Sequence, residues 1–128
     1  MKKQGMINRD IAGHLAKFGH TDLLVIADCG LPVPEHVPCV DLAYRIGEPS
    51  FETVLKAVLE DFEAETAYIA QEISDHNKNL AADMQEQLDC RYISHEELKA
   101  MSHSAKLIIR TGEASPYANV ILQSGVIF

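Results

Sequence analysis

Tryptophan is absent, cysteines form no CxxC pair, and no apolar run is longer than LLVIA; each absence closes a class of explanation. A bilayer span needs about 20 consecutive apolar residues, roughly four times that run. The amino-terminal stretch MKKQGMINRD has no apolar signal core, so a cytoplasmic protein with no membrane insertion is expected. Cys29, Cys39 and Cys90 are odd in number and fit no CxxC…HxxxH frame. They are expected as free thiols in a reducing compartment, and no zinc site is supported. Basic residues are scarce as well: 11 Lys and Arg face 19 Asp and Glu, a formal charge of −8. A phosphate backbone or an anionic membrane would be repelled, which excludes nucleic acid as a partner.

What is present suits one soluble domain. The 128 residues are 47% hydrophobic and 23% charged, and a domain of that size buries roughly two thirds of its unfolded surface. Asn8 can cap a helix carrying Ile11, Leu15 and Phe18, with Gly19 placed for a left-handed stop. Leu23–Ala27 is too short for a helix and rich in strand formers, so it reads as a strand buried on both faces. GLPVPEHVP holds three of the five prolines and must be an ordered loop. A strand over 40–45 follows, then a helix capped by Ser50 with Phe51, Val54, Leu55, Val58, Leu59 and Phe62 on one face. Strands are expected over 66–70, 91–93, 106–110 and 119–123, and a helix over 77–88. Ser94-His95-Glu96-Glu97 matches a capping box, which sets His95 in the first turn of a helix. The class is α/β: a three-layer α/β/α arrangement on a mixed, mostly parallel sheet of about six strands.

The stretch GHTDLLVIADCGLP carries an imidazole at one mouth of its strand and a carboxylate at the other. At about 3.3 Å per residue the five apolar positions separate His20 from Asp28 by roughly 17 Å. Two arrangements could still bring them to one ligand. The turn at Gly19 could double the chain back, or His20 of one subunit could meet Asp28 of a neighbour. The second requires a head-to-tail contact of the kind that closes rings, and it is the favoured expectation. His95 adds an imidazole, Tyr117 a phenol and Asn119 an amide, all able to bind hydroxyls. Together these groups suit a neutral polyol or sugar. Taken singly, each has a plainer explanation: Asp28 could shape a turn, Tyr117 could be core, and His20 could be a loop residue. His14, His36, His76 and His103 are expected at the surface, and His95 and His103 lack the i, i+4 spacing of a helical metal pair.

The combination of GHTD, strand and ADCGLPVP with SHEEL and the final RTGEASPYANVILQSGVIF closely resembles the D-ribose pyranase family of the ribose/fucose mutarotases. The likeness runs over nearly the whole chain and is weakest over 63–89. GHTD and Gly30-Leu31-Pro32 follow the ribose branch, where fucose mutarotases have GHGD and Asn-Phe-Pro. The chain departs from ribose relatives by a shorter segment before Arg91 and by Cys29 in place of a small residue. The resemblance implies an isomerase that interconverts the pyranose and furanose forms of D-ribose without metal or cofactor, assembled as a homodecamer of two five-membered rings. It further implies His20 as the catalytic proton donor and Asp28, His95, Tyr117, Ala118 and Asn119 as substrate-binding residues. A non-catalytic ribose-binding accessory of uptake, or a mutarotase of a related sugar such as fucose, is the alternative.

Overall fold

The computed structural model describes residues 1–128. In chain order the elements are α1 (Arg9–Leu15), β1 (Leu23–Ala27), β2 (Cys39–Asp41), α2 (Phe51–Leu59), β3 (Ala64–Ala70), α3 (Ile73–His76), α4 (Lys78–Gln87), β4 (Cys90–Ile93), α5 (His95–Ser102), β5 (Leu107–Arg110) and β6 (Val120–Ser124). The side-chain oxygen of Asn8 accepts the N–H groups of Asp10 and Ile11, and that of Ser50 accepts Thr53 N–H, so both expected caps start their helices. Glu97 closes the capping box at Ser94 by accepting the Ser94 N–H at 2.9 Å.

The strands form one sheet in the order β2-β5-β1-β6-β3-β4. All pairings are parallel except those of β6, which runs against β1 and β3. The sheet is therefore mixed and mostly parallel, as expected. Side chains alternate across it with the period of two that a pleated strand imposes. Leu24, Ile26, Ala67, Ile69, Leu107, Ile109, Val120 and Leu122 join Ile11, Phe51, Val54, Leu55, Val58, Leu80 and Met84 of the helices in the larger core. Val25, Ala27, Ala70, Ile108 and Ile121 pack with Leu98 of α5 and with Leu31 and Val37 of the proline-rich loop. Helices thus cover both faces, though the second layer is thin and half of it is loop. Burying each large aliphatic side chain here stabilises the fold by about 1.5–3 kcal/mol.

Local expectations change at several points: Phe18 and Phe62 lie beyond the ends of α1 and α2 rather than on them. Gly19 does not end α1 in a left-handed conformation; the helix finishes at Ala16 in a right-handed one, and the left-handed residue is Thr21, at φ 71°. Asp22 Oδ2 accepts Gly19 N–H at 2.7 Å and Ser124 O accepts Thr21 N–H at 2.8 Å, so the reversal is held two residues later than the glycine. The strand expected over 40–45 stops at Asp41, whose own carboxylate accepts Ala43 N–H and turns the chain. The helix over 77–88 ends at Gln87 because Leu88 is extended. The short α3 was not anticipated, since only Ile73 of its four residues is apolar and buried.

Candidate active site

In a sheet of this kind the carboxyl edge of the parallel strands is where ligands bind, because loops and helix amino termini meet there. Asp28 follows β1 at that edge and His95 follows β4. β6 runs the opposite way and begins there, so Asn119, the residue before it, arrives beside Asp28: Ile26 of β1 pairs with Val120 of β6. Asn119 is fully buried. Its Oδ1 accepts Asp28 N–H at 2.8 Å, and its Nδ2 donates to Asp28 Oδ2 at 2.9 Å. Asp28 Oδ1 accepts the N–H groups of Gly30 at 2.9 Å and Leu31 at 2.8 Å. The turn-shaping and ligand-binding readings of Asp28 are thus compatible. A carboxylate has about four acceptor sites, and with these three donors in place about one remains for a ligand hydroxyl.

His95 opens α5. Its backbone N–H donates to Glu72 Oε2 at 2.8 Å, which ties the start of α5 to the start of α3. The His95 ring meets Tyr117 edge-on, with centroids 5.1 Å apart, and the His76 ring is tilted against Tyr117 with centroids 5.4 Å apart. His76 is exposed, as expected, but it is not a bystander. Tyr117 holds a left-handed backbone at φ 56°, a costly conformation for a bulky residue and one that clusters at functional sites. Asn77 Nδ2 fixes the segment before it, donating to Ser115 Oγ at 3.0 Å and to Pro116 O at 2.9 Å. Ala118, between Tyr117 and Asn119 in the chain, is fully buried in the larger core. One polar atom in this cluster stands out: His95 Nδ1 is buried and has no hydrogen-bond partner. Such an atom costs about 1–3 kcal/mol unless something satisfies it, so it marks a place for a ligand group.

Asp28, Gly30, Leu31, Pro32, His95 and Lys99 line a hollow of ≈ 400 Å³. A second, of ≈ 210 Å³, shares Asp28 and Gly30 and is bounded by 113–116. The structure therefore brings together five of the six expected site residues: Asp28, His95, Tyr117, Ala118 and Asn119. It leaves His20 elsewhere. His20 precedes β1 at the opposite edge of the sheet and lines a separate hollow of ≈ 500 Å³ with Phe18, Phe62 and the carboxyl-terminal residues. Its side chain is 52% exposed, and its Nε2 lies 2.8 Å from Glu65 Oε2. Hydrogen bonds from His20 first and Gln123 second hold the Glu65 carboxyl below its ordinary value.

Three neighbours escaped the sequence reading. Lys99 stands four residues after His95, on the same helical face, so its spacing was a usable signal; its Nζ pairs with Glu96 at 2.6 Å. Glu72 is 23 positions from His95 and Glu65 is 45 from His20, and no local pattern announces either. No group of three or more His, Cys, Asp or Glu side chains is arranged to hold a metal ion.

A mixed α/β sheet that gathers carboxylate, imidazole, phenol and amide at its carboxyl edge has the chemistry of a site for a small hydroxyl-rich ligand. More particularly, the chain belongs to the RbsD / FucU transport protein family, whose model matches residues 1–127. It is 53% identical over 129 residues, covering 100% of both chains, to a D-ribose pyranase of Shouchella clausii. Among solved structures it is similar to Bacillus subtilis RbsD complexed with D-ribose, at TM-score 0.95 and 44% identity with 100% of both chains covered. The fucose mutarotase of Streptococcus pneumoniae in complex with L-fucose shares the fold at TM-score 0.80 and 24% identity, again over 100% of both chains.

Proposed function

We propose that this protein is a D-ribose pyranase, an isomerase that opens the hemiacetal ring of D-ribose and closes it at the other size. The observation that carries the reading is the buried, unpartnered Nδ1 of His95 in a cluster with Asp28, Tyr117 and Asn119, a set matched to a neutral polyol. The substrate follows from the full-length similarity to a relative named D-ribose pyranase. Asp28, His95 and Tyr117 bind the sugar's hydroxyls; Asn119 holds the Asp28 carboxylate in place, and Ala118, packed in the core, holds the backbone between Tyr117 and Asn119.

The chemistry needs one acid and one base. In opening, the anomeric O–H gives its proton to Asp28 Oδ2, the bond from C1 to the ring oxygen breaks, and that oxygen takes a proton from the His20 imidazolium. The open aldehyde turns, and a different hydroxyl closes on C1. That hydroxyl returns its proton to His20 while Asp28 hands its proton back to the former carbonyl oxygen. Both groups end as they began. A positioned acid or base contributes about 10²–10⁴-fold, or roughly 3–5 kcal/mol of barrier.

His20 reaches this site from a neighbouring copy in the proposed assembly. Support comes from the placement of His20 and Asp28 at opposite ends of β1, which no turn at Gly19 reverses. Tyr44, Ile46, Ile127 and Phe128 are exposed and apolar, a surface that neighbouring copies would cover. The assembly proposed is a homodecamer of two stacked five-membered rings in the cytoplasm, one domain per chain over 1–128.

The test is exchange between the ring forms, read by magnetisation transfer on the anomeric proton signals of D-ribose. Catalytic amounts of protein should broaden or exchange them, and His20→Ala should slow exchange by about 10²–10⁴-fold with ribose affinity within a few-fold. A protein that alters the populations of ring forms only at stoichiometric concentration is a ribose binder, and the reading fails.

A further inference from the structure

The surroundings of His20 are more organised than an exposed loop histidine requires. β3 and β6 pair with a shift in register: Ala64 faces Ser124, while Thr66 faces Gln123. Glu65 is the extra residue of this bulge, and a bulge re-aims the side chain it carries. Here it sets Glu65 Oε2 at 2.8 Å from His20 Nε2, while Gln123 Nε2 donates to Glu65 Oε1 at 2.7 Å. Gln123 is itself braced by the Tyr68 hydroxyl, which donates to its Oε1 at 3.3 Å. On the other side, Thr21 is a β-branched residue in the left-handed region, a true backbone outlier. Its N–H donates to Ser124 O, and Ser124 N–H donates to Asp22 O, both at 2.8 Å, so the strained turn is fastened to the strand next to the bulge. Strain of this kind persists only where the surroundings over-determine it.

We propose that Glu65 is the positioning residue for His20: its carboxylate takes the Nε2–H, fixes the ring, and leaves Nδ1 as the nitrogen that exchanges protons with the sugar. The proposal rests on the reading of His20 as the proton donor and assigns which nitrogen works and what orients it. When the neutral imidazole has one N–H and one lone pair, the hydrogen bond on one nitrogen decides the role of the other. Of the other charged groups, Asp61 and Glu63 line the same hollow as His20, and Asp22, two residues along the chain, has its carboxylate paired with Lys106 at 2.6 Å. None of the three has a hydrogen bond to the imidazole.

Two measurements test it on the intact protein. Neutral His20 in the wild type should give the ¹⁵N signature of an Nε2–H tautomer, and Glu65→Gln should mix the tautomers. Glu65 is an exposed strand residue, so this isosteric change leaves the fold in place. Ring-exchange kinetics of Glu65→Gln should show kcat reduced about 10- to 100-fold, a part of the general acid–base contribution, with KM within about threefold. Gln123→Leu, which removes the brace only, should reduce kcat less. A wild-type His20 carrying its neutral proton on Nδ1, or a Glu65→Gln protein with unchanged kcat beside an inactive His20→Ala, overturns the proposal alone. A His20→Ala protein that keeps the wild-type rate overturns the donor assignment and the proposal with it.

Discussion

Asp28 and Asn119 give the sharpest expectation for a single atom pair. Asp28 Oδ1 accepts two N–H groups, so an asparagine there must turn its oxygen toward Gly30 and Leu31. Its NH₂ would then face the NH₂ of Asn119, and a fully buried amide would lose its acceptor. Asp28→Asn should destabilise the chain by about 1–3 kcal/mol, measured by urea unfolding, and should abolish ribose exchange through loss of the base. Unchanged stability would mean that the pair is not formed in solution. This pairing shows where the sequence stops being informative. Asp28, His95, Tyr117 and Asn119 could be picked out as polar groups suited to a sugar, but 91 positions separate the two bonded partners. Only the antiparallel course of β6 makes them neighbours. The sequence hides the contact of exposed His76 with Tyr117 for the same reason: it depends on α3, which carries almost no apolar signal.

Elements were more legible than contacts, because their signals are local. Asn8, Ser50 and the Ser94-Glu97 box each sit beside the backbone groups they satisfy, and all three caps form where expected. The turn before β1 differs because a distant acceptor, Ser124 O, takes Thr21 N–H and sets the left-handed residue at Thr21 rather than Gly19, whereas β2 stops early through a local bond from Ala43 N–H to the Asp41 carboxylate. Ser94→Ala should cost about 1 kcal/mol of stability, and because His95 is the next residue it should also raise KM for ribose; the thermal midpoint and exchange kinetics would report both. A second cap is made over a long range. Glu113 Oε1 accepts Phe51 N–H at the start of α2 at 3.0 Å, and Oε2 accepts Ser115 N–H at 3.2 Å. Burial pushes this carboxyl up, but hydrogen bonds from Phe51 N–H, from the side chain and N–H of Ser115 and from Ala114 N–H together outweigh it, and the group lies below its ordinary value. Its contribution is therefore complete above the unfolded value of about 4.3 and is lost as pH falls through the lower folded value. Glu113→Gln should flatten the decline of melting temperature in that acid window, and an equally steep decline would show that other carboxylates set it.

At the scale of the whole molecule the decisive fact is that β1 holds the proposed acid and base apart. The imidazole stands before Leu23 and the carboxylate after Ala27, in hollows that share no residue. In the proposed assembly each chain brings half of a proton-transfer site at each end, and copies joined head to tail would complete one site at every seam. The arithmetic of mixing follows. His20→Ala subunits supply a sound Asp28 but no donor, and Asp28→Ala subunits supply the converse. In randomly assembled rings made from equal amounts, a seam is intact only when the donor side comes from one variant and the carboxylate side from the other. That happens at roughly a quarter of the seams. Each variant alone should be nearly inactive, and subunits unfolded together and refolded as a mixture should recover about a quarter of the wild-type exchange rate per chain. Mixing preformed assemblies without exchange of subunits should recover none, which separates a shared site from trace contamination. Recovery absent after co-refolding, in mixed rings of normal size, would place both groups of each site in a single chain and remove the seam from the mechanism.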